Sequence, residues 1–183
     1  YFKKIKLSKK KKQIIFVGKL NRSKGYDLFG NALIKILDEH SEWKALVIGD
    51  EHREKIDFEH ERLIKLGYQS NLKVLKELEK SSIAVACSRW DEPFGRVSLE
   101  ASSRGCAVII SNKGGLPESI TDGIILNNLT IKNLYKNLKN LILNKKKLIQ
   151  LQKKSVKNFY LDNKYSSSKI DEYRKKLFLV NNN

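Results

Sequence analysis

Residues 83–100 read IAVACSRWDEPFGRVSLE, and this stretch decides which fold the chain can adopt. Its first part, Ile83–Cys87, is small or β-branched throughout, which predicts a strand covered on both faces of a sheet. Pro93 and Gly95 then force a tight turn, and a helix is predicted from about Gly95 to Arg104. A strand that passes through a short turn into a helix is half of a βαβ unit.

The same alternation of strand and helix recurs before and after this stretch. Short apolar runs predict further strands at Gln13–Val17, Trp43–Ile48, Leu63–Leu66, Cys106–Ile110 and Ile124–Leu126. One of the intervening helices is predicted to be capped by Ser70, with an apolar side formed by Leu72, Leu75 and Leu78. From Thr130 onward the pattern is helical. The prediction is an α/β fold, a doubly wound, Rossmann-like parallel sheet with a helical C-terminal tail.

The composition favours one folded domain in a reducing compartment. A chain of 183 residues with 40% hydrophobic residues can bury a single core. Only two cysteines are present, Cys87 and Cys106, which excludes a disulfide scaffold. No run approaches the ~18 apolar residues of a membrane-spanning helix. We therefore expect a cytoplasmic protein.

The net charge of +17 is concentrated at the two ends of the sequence. Residues 1–12 contain seven lysines and no acidic residue, whereas residues 130–183 contain fourteen basic and three acidic residues, and the centre is close to neutral. Nucleic-acid grooves combine basic and aromatic residues on the folded body, so we expect no nucleic-acid partner. The charges then either cover solvated helix faces or attract the ends to an anionic membrane at its inner face.

The domain boundaries follow from the same segments. Residues 1–12 are predicted to be a basic interdomain connector, residues 13–160 the Rossmann-like domain, and residues 161–183 a C-terminal helix and tail. The chain has no methionine and begins at Tyr1, so we expect the start of its gene product to lie outside it.

The first loop that carries candidate binding residues directly follows the first predicted strand. Gly18 and Gly25 flank three cations, Lys19, Arg22 and Lys24. Backbone N–H groups and ammonium groups at the start of a helix form a site for a phosphate or diphosphate. A solvated basic turn explains the same residues equally well.

The second loop contains two acidic residues around the predicted turn. Glu92 lies in the turn and Glu100 lies in the following helix, while the N–H groups of Gly95–Val97 face the edge of the sheet. Carboxylates accept hydrogen bonds from sugar hydroxyls, and N–H groups bind phosphate oxygens, so this combination suits a ligand with both. The alternative is that Glu92 is solvated and that Glu100 pairs with Arg104 on the helix surface.

The third loop follows the fifth predicted strand. Gly114 and Gly115 permit close approach of a ligand to the backbone. A plain turn before a helix, with Pro117 near the helix start and Glu118 in its first turn, is an equal alternative.

Together these loops resemble the C-terminal, donor-binding domain of retaining GT-B glycosyltransferases, specifically glycosyltransferase family 4. The most specific element is EPFGRVSLEA, in which Glu92 and Glu100 match the two glutamates of the family motif. Two further motifs support it: GGLPE at Gly114–Glu118, and VGKL followed by KG between Val17 and Gly25. The resemblance covers about Gln13 to Leu126.

The resemblance implies a role for each matched residue. The donor diphosphate would lie on Lys19 and Lys24, and Glu92 would meet the donor sugar. Lys19 departs from the usual arginine, which suggests looser diphosphate binding or a shared role for Arg22. Glu100 would bind the ribose hydroxyls. The full set implied is catalytic Lys19, Lys24 and Glu92, with donor-binding Gly18, Arg22, Gly67, Tyr68, Phe94, Gly95, Arg96, Val97, Glu100, Gly114 and Gly115.

The resemblance also implies the reaction. It indicates metal-independent hexosyl transfer from a UDP- or GDP-sugar, with retention of configuration, to a glycan such as lipopolysaccharide or to a lipid-linked acceptor. The acceptor would be bound by an N-terminal domain absent from this chain, so we expect the chain alone to bind donor without transferring sugar. Two alternatives remain: a non-catalytic nucleotide-sugar-binding partner subunit and a basic nucleic-acid-binding α/β module.

Overall fold

The chain folds as an α/β domain, and a computed structural model describes its residues 5–180. In this part of the chain, the strands are β1 (Lys11–Val17), β2 (Lys44–Ile48), β3 (Leu63–Lys65), β4 (Ser81–Ala86), β5 (Ala107–Ser111) and β6 (Ile124–Leu126). The α-helices are α1 (Tyr26–Glu39), α2 (Asn71–Lys80), α3 (Arg96–Ser103), α4 (Ile131–Leu143), α5 (Lys145–Lys157) and α6 (Asn163–Val180). Short 3-10 helices lie at Leu7–Lys9 and Pro117–Ser119.

All strands of the sheet run parallel, in the spatial order β3-β2-β1-β4-β5-β6. The order reverses between β1 and β4, which are neighbours although two strands lie between them in the sequence. The predicted doubly wound sheet is thereby confirmed. In such sheets, ligands bind at the carboxyl ends of the strands on either side of this reversal.

Alternate residues of each strand face opposite layers of helices. Ile14 and Phe16 of β1 face the layer that contains α1 and α4. Ile15 faces the other layer, which contains α2 and α3. Both faces are buried, which explains why the central strands are apolar without interruption.

Several predicted boundaries and positions differ from the structure. β1 begins at Lys11, so the last two residues of the predicted connector belong to the sheet. Ser70 precedes α2, but its side chain makes no capping hydrogen bond. Leu72 is 72% exposed, because the buried face of α2 passes through Val74 and Leu78, one turn apart. Residues 1–4 of the connector and 181–183 of the tail lie outside the described residues.

The two edges of the sheet differ in what covers them. We call the edge at the strand starts the amino edge and the edge at the strand ends the carboxyl edge. α5 covers the amino edge, where Gln152 Nε2 donates to Ser82 O at 3.0 Å. Lys10 Nζ donates there to Leu78 O at 2.9 Å and Ser81 O at 2.7 Å, which ties the segment before β1 into the fold. Within residues 5–180, no helix is long and apolar enough to cross a bilayer.

Candidate functional site

A cavity of about 370 Å³ lies at the carboxyl edge, at the point where the strand order reverses. Its walls come from the end of β1, the end of β4, and the turn that leads into α3. Its size is within the range of small-molecule sites. Seven of the residues predicted from the sequence line it: Gly18, Lys24, Glu92, Phe94, Gly95, Arg96 and Val97.

The loops after β1 and β4 are bound tightly to each other beside this cavity. Arg89 N donates to Ser23 O at 2.8 Å, and Ser88 Oγ donates to the same carbonyl at 3.0 Å. Gly25 begins α1 with φ +71°, and a Cβ there would lie 2.0 Å from Cys87 O. Only glycine fits this conformation and this approach, so the first loop is fixed against the end of β4.

A bidentate ion pair between Arg89 and Asp27 joins the same two loops. Arg89 Nη1 and Nη2 lie 2.6 and 2.7 Å from the two Asp27 oxygens, and Nη1 also donates to Arg22 O at 2.6 Å. Burial raises the pKa of the Asp27 carboxyl, but the hydrogen bonds and charge of Arg89 outweigh burial and hold that pKa below its usual value. Sequence reasoning missed this pair. The sequence offered two weak indications of it, namely an acidic residue in the first turn of α1 and an arginine shortly after β4.

Lys24 and Glu92 form an ion pair in the cavity wall. Both side chains are largely buried, with 32% and 15% exposed. The Asn21 side chain orients the lysine, since Asn21 Oδ1 accepts from Lys24 N at 3.0 Å. The sequence predicted both residues for the site but not their direct contact, which places one positive and one negative group side by side.

The N-terminus of α3 supplies backbone donors to the same cavity. Gly95 precedes the helix with φ +92°, and a Cβ there would lie 2.7 Å from Leu116 Cδ2. No described side chain caps this helix. The first N–H groups of a helix have no partner within it, so those of Arg96 and Val97 lie in the cavity wall with the positive end of the helix dipole.

Gly114 and Gly115 support the Glu92 turn and do not line the cavity. Gly115 N donates to Glu92 O at 2.6 Å. A Cβ on Gly114 would lie 2.4 Å from Glu92 O, and one on Gly115 would lie 2.5 Å from Pro93 O. The close approach predicted for these glycines is thus made by the protein's own backbone. Leu116, the next residue, reaches the cavity instead.

Four other predicted residues lie outside the cavity wall. Lys19 is exposed beside Gly18. Arg22 lies with its Nε 3.2 Å from Glu54 Oε1, and its backbone N–H donates to the same carboxylate. Gly67 and Tyr68 follow β3, and Tyr68 is 78% exposed.

Glu100 also lies outside this cavity, one helical turn beyond Arg96. It accepts from Asn71 Nδ2 at 3.0 Å and lies 3.6 Å from Arg96 Nη2. The predicted alternative, in which Glu100 pairs with Arg104, is therefore wrong. Glu100 pairs instead with Arg96, one turn earlier in the helix. Glu100 lines a second cavity of about 520 Å³ between α3 and the start of α6. Arg96 lines the first cavity and contacts Glu100, which lines the second, so Arg96 lies between the two cavities.

The described residues contain no group of three or more His, Cys, Asp or Glu arranged to hold a metal ion. The two cysteines are buried in the sheet region. Burial raises the pKa of the Cys87 thiol to about 12, which suits a packed side chain.

The chain is similar to several bacterial proteins, some of which are named glycosyltransferases. An uncharacterised 41.2 kDa protein in the cps region of Klebsiella pneumoniae is 34% identical over 119 residues, which are 64% of this chain and 32% of that protein. The lipopolysaccharide core biosynthesis mannosyltransferase LpcC of Rhizobium leguminosarum bv. viciae is 32% identical over 118 residues, 58% of this chain and 33% of that protein. The chain spans about a third of the length of these curated relatives.

Solved structures show the same fold. The C-terminal domain of a glycosyl transferase group 1 family protein (LpcC) from Francisella tularensis superposes with a TM-score of 0.70 at 24% identity, covering 81% of this chain and 84% of that one. Anabaena Alr3699/HepE in complex with UDP-glucose gives 0.68 at 19% identity, covering 80% and 43%. The sequence matches the family described as Glycosyl transferases group 1 over residues 1–159. The chain therefore belongs to the glycosyl transferases group 1 family and has the fold of the C-terminal domain of a GT-B glycosyltransferase.

Proposed function

We propose that this chain is the donor-binding half of a retaining glycosyltransferase that uses a UDP- or GDP-sugar. The observation that carries the proposal is the shared cavity at the carboxyl edge, where Lys24, Glu92 and the N-terminus of α3 meet. The relatives support it, since one is a mannosyltransferase and one solved neighbour is bound to UDP-glucose. Retention of configuration rests on the family resemblance.

The diphosphate is assigned to Lys24 and the first N–H groups of α3. An ammonium group has three donors, so Lys24 can keep its contact with Glu92 and still donate to a phosphate oxygen. The N–H groups of Arg96 and Val97 add fixed partial positive charge. Lys19 is assigned the outer diphosphate oxygens from the solvent side. The ion pair with Glu54 makes Arg22 the weaker candidate for that task.

The sugar and the nucleoside are assigned to groups on either side of the diphosphate. Glu92 has carboxylate lone pairs left for a sugar hydroxyl after it pairs with Lys24. Glu100 accepts from the ribose hydroxyls, beside Arg96 and Asn71. The base lies towards Gly67 and Tyr68, where an exposed aromatic ring follows β3.

The reaction breaks the bond between the anomeric carbon and the diphosphate oxygen, and that electron pair leaves with the diphosphate. The acceptor hydroxyl forms the new bond to the anomeric carbon and gives up its proton to the leaving phosphate. Negative charge grows on the diphosphate while the sugar becomes oxocarbenium-like. Fixed cations and N–H dipoles stabilise that charge without having to reorganise.

The acceptor is assigned to a part of the enzyme outside these residues. GT-B enzymes bind it across a cleft from the donor domain, and lipopolysaccharide or a lipid-linked glycan is the expected class. The chain on its own would then bind donor and transfer no sugar. Turnover by residues 1–183 with a simple acceptor would contradict this assignment.

The test is titration calorimetry with UDP, GDP, ADP and their sugars. One nucleotide class should bind, and Glu100→Ala should weaken its affinity about tenfold or more, because a hydrogen bond to a charged group contributes about 1.5–3 kcal/mol. Glu118→Ala, an exposed acid outside both cavities, is the matched control. Unchanged affinity in Glu100→Ala would refute the ribose assignment. Salt-sensitive binding of any oligonucleotide, with no preference among nucleotides, would favour the nucleic-acid alternative.

A further inference from the structure

The two basic ends of the sequence meet at the amino edge of the sheet. A Cβ built on Gly105, just before β5, would lie 2.8 Å from Leu7 Cδ2, 2.9 Å from Val156 Cγ2 and 3.3 Å from Ile5 Cγ2. The segment before β1 therefore packs directly beside α5 at this glycine. Two lysine-rich segments are thereby brought next to each other, although more than a hundred residues separate them in the sequence.

Lysines dominate the outward side of α5. Its inward side buries Leu148, Gln152 and Ser155. The other side carries exposed lysines together with exposed Gln150 and half-buried Ile149. Its lysines, which we call the basic face of α5, are Lys145, Lys146, Lys153, Lys154 and Lys157.

The basic face of α5 collects five unpaired charges on one helix, whereas other unpaired lysines of the described residues, such as Lys35, Lys55 and Lys76, lie on separate elements. Among residues 5–180, no carboxylate lies within 4.0 Å of any of its five ammonium groups. By contrast, Lys12 pairs with Glu42, Lys80 with Glu77, and Lys139 with Glu39. Asp122 precedes β6 and lies beside the end of α5, where it accepts from Asn158 Nδ2 at 2.8 Å. Five unpaired charges on one helix produce a local positive field.

We propose that the basic face of α5 docks the domain on an anionic phospholipid bilayer. Long lysine side chains on one side of a helix can contact several lipid phosphates at once, and each lysine adds to the attraction. α5 contains no aromatic residue on which bases could stack, which favours lipid over single-stranded nucleic acid. The apolar side of α5 is buried in the fold, so the contact is electrostatic and the helix does not insert.

This docking goes beyond donor binding and does not compete with it. The basic face lies at the amino edge, whereas the cavity with Lys24 and Glu92 lies at the carboxyl edge. A domain held by α5 leaves the donor cavity directed away from the lipid surface. The two sites can therefore be tested separately.

The experiment is cosedimentation of the chain with vesicles of phosphatidylcholine, with or without roughly one third phosphatidylglycerol. Binding should require the anionic lipid and should fall steeply as salt is added, since exposed charges are screened. The test variant changes to Gln the five residues Lys145, Lys146, Lys153, Lys154 and Lys157. It should lose about tenfold or more in vesicle affinity while its nucleotide binding and its unfolding free energy stay unchanged.

The matched control makes the same change in net charge at exposed lysines on other surfaces, namely Lys35, Lys55, Lys76, Lys132 and Lys136. It should retain most of the vesicle affinity. An equal loss in both variants would show that net charge alone is responsible and would overturn the proposal. Equal binding to neutral vesicles, or tighter binding to an oligonucleotide than to anionic vesicles, would overturn it as well.

Discussion

The donor cavity and the basic face of α5 use their charged residues in opposite ways. At the carboxyl edge, Lys24 is paired with Glu92 and Arg89 with Asp27, and the loops that carry them are joined by backbone hydrogen bonds. At the amino edge, the basic face of α5 has no paired charge among the described residues. Fixed and paired charges can hold one ligand in one orientation, whereas unpaired surface charges produce a field that attracts any extended anion.

The paired charges at the carboxyl edge depend on the close contact of the loops after β1 and β4. Gly25→Ala should break that contact. A Cβ there would meet Cys87 O at 2.0 Å and would sit at φ +71°. We expect a loss of about 2–4 kcal/mol in the free energy of unfolding, from backbone strain and overpacking together. Urea unfolding measures it.

Gly67→Ala is the control for Gly25→Ala. Gly67 has a similar φ of +64°, but nothing lies within 4 Å of an added Cβ. Its loss should be about 1 kcal/mol, from the backbone conformation alone. Equal losses in the two variants would show that the contact with Cys87 contributes nothing.

One lysine of the amino edge should behave differently from its neighbours. Lys10 Nζ donates to Leu78 O and Ser81 O at the end of α2, and burial lowers the pKa of this lysine. Lys10→Met removes the donor from both carbonyls, so we expect a loss of about 1–2 kcal/mol in unfolding free energy. The same change at exposed Lys9 should cost less than about 0.5 kcal/mol. Similar losses in unfolding free energy for the two variants would show that the hydrogen bonds of Lys10 do not stabilise the fold.

The smallest of these effects is expected for Asp27→Asn, because the Arg89 pair is partly exposed. The loss in unfolding free energy should be about 1 kcal/mol at pH 7. The pKa of Asp27 is lowered in the folded state, so its stabilisation is present above the unfolded pKa of about 4 and is lost as pH falls through the folded pKa. Denaturant curves between pH 7 and pH 3 should show the difference between wild type and variant shrinking in acid.

Glu118→Gln provides the comparison for Asp27→Asn, since Glu118 is exposed and outside the loop contacts. Its unfolding free energy should match that of the wild type across the same pH range. A constant difference between Asp27→Asn and the wild type down to pH 3 would mean that the Arg89 pair does not account for the loss.

The fold was predictable because its signals are local. The apolar runs at Ile83–Cys87 and Cys106–Ile110 locate β4 and β5 to within two residues. Errors occurred where burial depends on a neighbouring element. Leu72 continues the helical spacing of α2, yet the side of the helix that packs on the sheet passes through Val74 and Leu78, and Leu72 stays exposed. Lys10 looked like part of a linker because no sequence pattern indicates that α2 ends beside it.

The sequence predicted which loops carry the candidate site but not how those loops pack against one another. The residue types in Gly18–Gly25 and Ser88–Glu100 indicated a phosphate and hydroxyl ligand, and the cavity contains residues of both segments. The sequence did not indicate that Gly114 and Gly115 approach the Glu92 turn, or that Glu100 lines a separate cavity. Both facts depend on the packing of one loop against another.

The sequence by itself determined the alternation of strands and helices, the loops that carry polar residues, and the basic character of both ends, since each is a property of neighbouring residues. Only the tertiary structure decided which of these segments meet. It places β1 beside β4, which brings Lys24 to Glu92 across 68 residues, and it places Ile5 and Leu7 beside Val156 of α5. The physical reason is that segments distant in the sequence come together when helices bury both faces of the sheet. No pattern among neighbouring residues specifies which distant segment each one will contact.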